Sequence, residues 1–182
     1  MKGENAMMPV IKKILYTTDL SPNATFVLRY AINSAIQHNA SIVILHVLEE
    51  LPAAARSWVF SYMSDEDQKK IFQEAHAHAM EQINDRLKMF YQKELSKNPT
   101  ASERIEKIEV HEGYPADRIL KTADEFDCDV ILMGSHGKSA IYRTFLGSVT
   151  KQVLRRTRKP VFIIPLPRAG VDRYRSSLHA GA

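Results

Sequence analysis

Gly134-Ser135-His136-Gly137, nine residues from Lys138 to Leu146, and then Gly147-Ser148 form a stretch whose residue types and spacing suit the binding of a charged ligand. The 182-residue chain holds 7 glycines, against roughly 13 at average usage, and Gly134, Gly137 and Gly147 share this window. A phosphate chain is held by many close donors, and backbone N–H groups reach it where no Cβ intervenes or where φ must be positive. Gly134 and Gly137, directly after an apolar run, meet that need. Gly147-Ser148 then opens a helical pattern, whose first N–H groups and positive dipole end attract anions. The Ser148 hydroxyl adds a donor. The two halves read as a cradle with a flap between them, in which Lys138 and Arg143 supply charge to outer phosphates. Neither G-x-x-x-x-G-K-[ST] nor G-x-G-x-x-G occurs, which excludes a P-loop and a dinucleotide fingerprint. On the residues alone, the plainer alternative is that these glycines only make turns.

Other candidates are fewer. Asp19 is the acidic residue at a strand end beside the cradle, suited to a ribose hydroxyl or a metal, or else to capping a helix entry. His136 lies within the loop, where a positioning role is favoured over acid–base catalysis because no carboxylate stands next to it. His46, inside an apolar strand, reads as a packed core histidine, and His76 and His78 lie on different faces of a helix, a poor metal pair. Cys128 is the only cysteine, so neither an intrachain disulfide nor a cysteine-based zinc cluster can form; in DCDVILMG it reads as a small buried hydrophobe.

These residues need elements to position them. Val10–Tyr16 reads as the first strand, and Ser21-Pro22 as an N-cap with proline at the first helical position, opening a helix that runs to about His38. Ser41–Leu48 is nearly continuous in apolar residues, as a parallel strand covered on both faces should be. An irregular connection, Leu51–Met63, leads to a long helix from Ser64 to about Leu95, with an apolar stripe at spacings of three and four. Asn98-Pro99 breaks the chain, and Arg104–His111 alternates as a third strand. A helix from Pro115 to about Phe126, a strand Val130–Met133, a helix from Ser148 to about Thr157 and a strand Pro160–Pro165 complete the pattern. Five strands alternating with four helices predict an α/β fold, a doubly wound parallel sheet with right-handed crossovers. Such sheets bind ligands outside the carboxyl ends of their strands, where the winding reverses. The ends of the first strand, at Thr17-Thr18-Asp19, and of the fourth, at Gly134, are therefore the expected location. A receiver-type phosphoacceptor would need clustered acids at the strand ends, which this chain lacks.

Composition bounds the rest. A 45% hydrophobic and 25% charged chain of this length is one globular domain rather than a disordered or fibrous protein. The formal charge of +4 conceals an asymmetry: Lys151 to Arg175 alone carries +7, so the remainder is mildly acidic. That is no polybasic groove, and no nucleic-acid partner is expected; cations over Lys151–Lys159 suit the negative end of a helix. Apolar runs fall far short of the ~20 residues that span a bilayer, and MKGENAMMPV lacks the apolar core of a signal peptide. A cytoplasmic protein without a membrane partner is expected, with a domain over residues 9–167, an N-terminal extension over 1–8 and a mobile tail over 168–182.

Gly134-x-x-Gly137, nine residues, Gly147-Ser148 resembles the ATP-binding motif of the universal stress protein family, and the flanking ILMGSHG and LGSVT agree with it. Ile14–Ser21 (ILYTTDLS), Ile44–Val47 (ILHV), Gly113–Leu120 and Lys159–Ile164 (KPVFII) resemble further family segments, so the likeness runs from about Pro9 to Pro165. The resemblance implies a five-stranded Rossmann-like, adenine nucleotide alpha hydrolase-like sheet in the order 3-2-1-4-5. It implies ATP, or ADP or AMP, with adenine near Val47, the nucleoside near Thr17, Thr18 and Asp19, and the phosphates held by Met133, Gly134, His136 and Gly137 on one side and Gly147, Ser148 and Val149 on the other. Mg2+ or Mn2+ would accompany the phosphates. Thr17 stands where many relatives have proline. A homodimer through the last strand, Val161, Phe162, Ile163 and Ile164, is implied as well, since an exposed strand edge is usually covered. The leading expectation is a nucleotide-dependent stress-response module with little or no turnover and no catalytic residue. A slow ATPase or autophosphorylating enzyme using Ser135, Ser139 or Ser148, and a scaffold with a vestigial site, are the alternatives.

Overall fold

The computed structural model describes residues 8–21, 23–49, 99–137 and 146–166, together with residues 74, 77, 78, 81–83, 85, 87–89, 91 and 92. Pro22, the connection over 51–63, much of the expected 64–95 helix, the flap with Lys138, Ser139 and Arg143, most of the N-terminal extension and the tail after residue 167 lie outside these.

The elements run β1 (Lys13–Thr18), α1 (Ala24–His38), β2 (Ser41–Leu48), a helical stretch among the described residues of 74–92, a single turn α2 (Pro99–Ser102), β3 (Ile105–Glu112), α3 (Pro115–Glu125), β4 (Val130–Gly134), α4 (Ser148–Arg156) and β5 (Val161–Ile164). The five strands form one sheet in the order β3-β2-β1-β4-β5, every neighbouring pair parallel. β1 pairs with β2 from Lys13↔Ser41 to Thr18↔His46, but with β4 only from Ile14↔Val130 to Tyr16↔Leu132. The carboxyl ends of β1 and β4 therefore part company, and a crevice opens between them where the winding reverses.

Side-chain alternation divides the sheet into two cores. Ile14, Tyr16, Ile42, Ile44, Val130 and Leu132 face α1 and the described residues Leu87 and Tyr91 of the helical stretch. Leu15, Val43, Leu45, Ile131 and Met133 face the other way, against Ala116, Ile119 and Ala123 of α3 and Val153 of α4. The central strands are thus buried on both faces, which is why they read as continuous apolar runs. Full burial of each large aliphatic side chain contributes about 1.5–3 kcal/mol.

Local boundaries depart from the sequence expectation in informative places. The first strand starts at Lys13 rather than Val10, because the Asp129 carboxylate accepts the backbone N–H groups of Lys12 and Lys13 at 2.7 and 2.8 Å and anchors the chain there; Val10 is left exposed. The strand then continues through Thr17 and Thr18. Ser21 is not the N-cap of α1. The helix begins after Asn23, and the Ser21 N–H instead donates to Asp19 Oδ1 at 3.0 Å, so the turn after β1 claims the residue that the sequence assigns to the helix. Asn39 ends α1 in the left-handed conformation, φ 53°, as helix C-termini commonly do. Asn98-Pro99 does not simply break the chain, since Pro99 opens the turn α2.

Candidate functional site

The turn after β1 is built from its own side chains. Thr18 Oγ1 accepts the Leu20 N–H at 3.1 Å, while Asp19 Oδ1 takes that of Ser21, and Leu20 adopts φ 57°, uncommon for a residue with a branched side chain. On the neighbouring strand, buried His46 donates Nδ1–H to the Thr18 carbonyl at 2.8 Å; a carbonyl only accepts, so this nitrogen carries the proton. The other oxygen of Asp19, Oδ2, is buried and has no hydrogen-bond partner among the described residues. Buried carboxylate oxygens rarely stand alone.

Oδ2 faces the glycine loop. A Cβ on Gly137 would stand 3.1 Å from it, and one on Gly147 would stand 3.4 Å from the His136 backbone. Close approach is what Gly137 requires of glycine, while a Cβ on Gly147 would stand at ordinary contact distance. Positive φ belongs to Gly113 (129°), where the chain leaves β3 and its N–H meets the Leu48 carbonyl at 3.1 Å.

The loop is tied to its surroundings at Ser135 and Gly134. The Ser135 N–H donates to Ile164, its carbonyl accepts the Gly147 N–H at 2.8 Å, and its hydroxyl, buried, hydrogen-bonds His136 Nδ1 at 3.0 Å while accepting the Leu166 N–H at 3.3 Å. Thr150 Oγ1 donates to the Gly134 carbonyl at 3.1 Å. Gly147 is the extended N-cap of α4, and the amides of Ser148, Val149 and Thr150, in the first helical turn, have no carbonyl ahead of them within the helix. A helix end of this kind beside glycine backbone suits an anion.

The structure places Thr17 and Thr18 at the end of β1 and Asp19 in the turn that follows, Met133 and Gly134 at the end of β4 with His136 and Gly137 in the loop after it, and Gly147, Ser148 and Val149 at the start of α4; it brings Asp19 against Gly137, and Gly147 against Ser135 and His136. Val47 lies one strand further out, opposite His111 of β3, and packs on the α3 side of the sheet. Met133 is likewise buried on that side. Lys138 and Arg143 fall outside the described residues. Thr150 is a structural contributor that spacing does not single out, while Ser135 reads from the sequence only as an alternative nucleophile and His46 as a packed core histidine, its signal being a lone polar residue near the carboxyl end of an apolar strand. Among the described residues no group of three or more His, Cys, Asp or Glu could hold a metal. A cavity of about 380 Å³ lined by Leu120, Asp124, Arg156, Arg158 and Lys159 lies beside the amino end of β5, away from the crevice, with Arg156 paired to Asp117 and Lys159 to Asp124.

The sequence profile of the universal stress protein family matches residues 11–165. The chain belongs to the universal stress protein family. Among its relatives, Universal stress protein MJ0577 of Methanocaldococcus jannaschii is 27% identical over 158 residues, 87% of this chain and 97% of that protein; a solved structure of MJ0577 superposes with a TM-score of 0.64 over 88% of this chain and 99% of its own, at 24% identity. Universal stress protein MJ0531 of the same organism is 30% identical over 173 residues, 91% of this chain and 86% of the relative. A universal stress protein solved in complex with cAMP matches at 25% identity with a TM-score of 0.50, covering 86% of this chain and 98% of that one. The five-stranded order 3-2-1-4-5 is thus that of a universal stress protein fold, and no helix among the described residues is long and apolar enough to cross a membrane.

Proposed function

We propose that this universal stress protein binds ATP in the crevice between β1 and β4 and acts as a nucleotide-dependent stress-response module with little or no turnover. The observation that carries the reading is the Asp19 carboxylate, its buried Oδ2 turned toward Gly137 beside the open amides of α4. That set offers an acceptor for a ribose hydroxyl, or a ligand for a cation, next to donors for phosphate. In this reading adenine lies by Val47, the nucleoside contacts Thr17, Thr18 and Asp19, and the phosphates meet Met133, Gly134, His136, Gly137, Gly147, Ser148 and Val149, with Lys138 and Arg143 supplying charge from the flap. Mg2+ or Mn2+ enters with the phosphates, which provide most of its ligands and whose charge it offsets. The cAMP complex of a relative supports an adenine nucleotide as the ligand class.

Low turnover belongs to the same reading. Calorimetry of nucleotide-free protein with ATP and magnesium tests the reading: saturable heat is expected, and Gly147→Val, which drives a side chain into the His136 backbone, abolishes it. Absence of heat in the unsubstituted protein, or rapid turnover lost in Gly147→Val, would overturn it.

The partner within this reading is a second copy. Pro160 and Ile164 offer their carbonyls to the N–H groups of Ile131 on β4 and Ser135 just past it, so the backbone of Val161 and Ile163 is directed to the open edge, where a matching strand can pair. A cytoplasmic location belongs to the same reading, consistent with one buried thiol, Cys128.

A further inference from the structure

We infer that His46 is a positioning residue for the nucleotide site, holding the end of β1 so that Asp19 faces the glycine loop; the inference rests on the ATP-binding reading above. β2 reads SIVILHVL, and His46 is the polar residue within its buried run, Ile42 to His46. Burying an imidazole in such a strand is unfavourable unless its polar atoms are bonded, and an aliphatic residue there would simply extend the face of Ile42 and Ile44. The ring instead reaches across to its register partner, donating Nδ1–H to the Thr18 carbonyl at 2.8 Å.

That carbonyl belongs to the peptide that joins Thr18 to Asp19. β1 has already lost its β4 partner beyond Tyr16, and on the other side the β1–β2 ladder reaches its last pair at Thr18↔His46, so this peptide sits at the final rung of the ladder. The following turn runs through Leu20 in the left-handed region and is closed only by the short-range bonds of Thr18 Oγ1 and Asp19 Oδ1. The His46 bond is therefore a side-chain tie from the neighbouring strand that reinforces this last rung, at the peptide from which the Asp19 side chain departs. A modest rotation of that peptide swings Oδ2 away from Gly137, and the 3.1 Å clearance at Gly137 shows how closely the two are matched.

The test separates the Nδ1 bond from burial and from a general structural role. Asparagine places its amide N–H near the position of Nδ1, glutamine reaches farther out toward that of Nε2, and leucine offers no donor. ATP affinity with magnesium, measured by calorimetry on the full chain, is expected to fall about tenfold in His46→Leu and His46→Gln, the loss of one buried hydrogen bond, and to stay within about threefold of the unsubstituted protein in His46→Asn. Combined with Asp19→Asn, the His46→Leu penalty is expected to vanish, because residues acting through one another are not additive. Unsubstituted protein that binds ATP, with His46→Gln as tight as His46→Asn or with fully additive penalties in the double variant, overturns the positioning role alone. Unsubstituted protein that binds no nucleotide overturns the functional reading and the inference together. If His46→Leu does not fold, the comparison of asparagine with glutamine decides the matter.

Discussion

Asp19 and Gly137, which lie far apart in the chain, face each other so closely that a Cβ on the glycine would stand 3.1 Å from the carboxylate Oδ2. This approach brings the acid just past the first strand against the loop that follows the fourth, and substitution at the glycine tests whether the two act as one site. Gly137→Ala is expected to push the Asp19 carboxylate aside and weaken ATP binding by tenfold or more, about 1.4 kcal/mol. Gly137 is exposed, so thermal unfolding should shift by only a few degrees. Calorimetry beside a melting curve checks both; unchanged affinity would mean that Asp19 does not meet the ligand.

Tyr16 is fully buried under α1 and donates its hydroxyl to the Ala24 carbonyl at 2.8 Å, in the first turn of that helix. Burial holds its phenol well above the ordinary tyrosine pKa, so the group stays neutral and donating. Tyr16→Phe is expected to lower unfolding free energy by about 1–2 kcal/mol, since it strands a buried carbonyl. Urea denaturation at neutral pH reads the difference.

At the amino end of the sheet, Glu106 accepts from Lys13 Nζ at 2.8 Å and from the Ser41 hydroxyl at 2.6 Å. These bonds, that from Lys13 first, hold its carboxyl below 4.5. A carboxylate whose folded pKa is depressed contributes stability above its unfolded pKa and loses it as pH falls through the folded one. The unsubstituted protein should therefore lose part of its stability as pH falls below about 4.5, and Glu106→Gln should show a shallower loss over that range. The pair is substantially exposed, so the effect is small and shrinks in high salt. Denaturant midpoints from pH 3 to pH 6 test it.

Cys128 is completely buried in the core on the α3 side of the sheet, and its thiol is pushed up to about 11 by desolvation. Little thiolate exists near neutrality, and reagents cannot reach it. Alkylation at pH 8 is expected to be negligible in the native state and complete in denaturant; fast native labelling, followed by intact mass, would contradict the packing.

An open β5 edge predicts its own outcome. Ile163→Pro removes an N–H directed away from β4 and should leave the β4–β5 ladder standing. Light scattering at micromolar concentration is expected to give a dimer mass for the unsubstituted protein and a monomer for the variant. A monomer in both would remove the second copy from the functional reading.

The apolar runs Ser41–Leu48 and Val130–Met133 identified the buried parallel strands, and alternation with helical patterns identified the doubly wound fold, because burial on two faces demands near-continuous hydrophobicity. Glycine spacing after Met133 identified the loop, since backbone approach leaves a compositional trace. What composition could not carry was direction. The start of β1 depended on Asp129, more than a hundred residues away, reaching back to two backbone amides. Ser21, by type a helix cap, was taken by Asp19, and His46, by surroundings a core residue, proved to hold a backbone carbonyl. Residue type states which bonds a side chain can make; only packing of distant segments against one another decides which of them it makes. So the sequence alone determined that strands and a glycine loop exist, and the tertiary structure decided that Asp19, His46 and Gly137 converge on one crevice, because β1 lies between β2 and β4 and ends where their paths diverge.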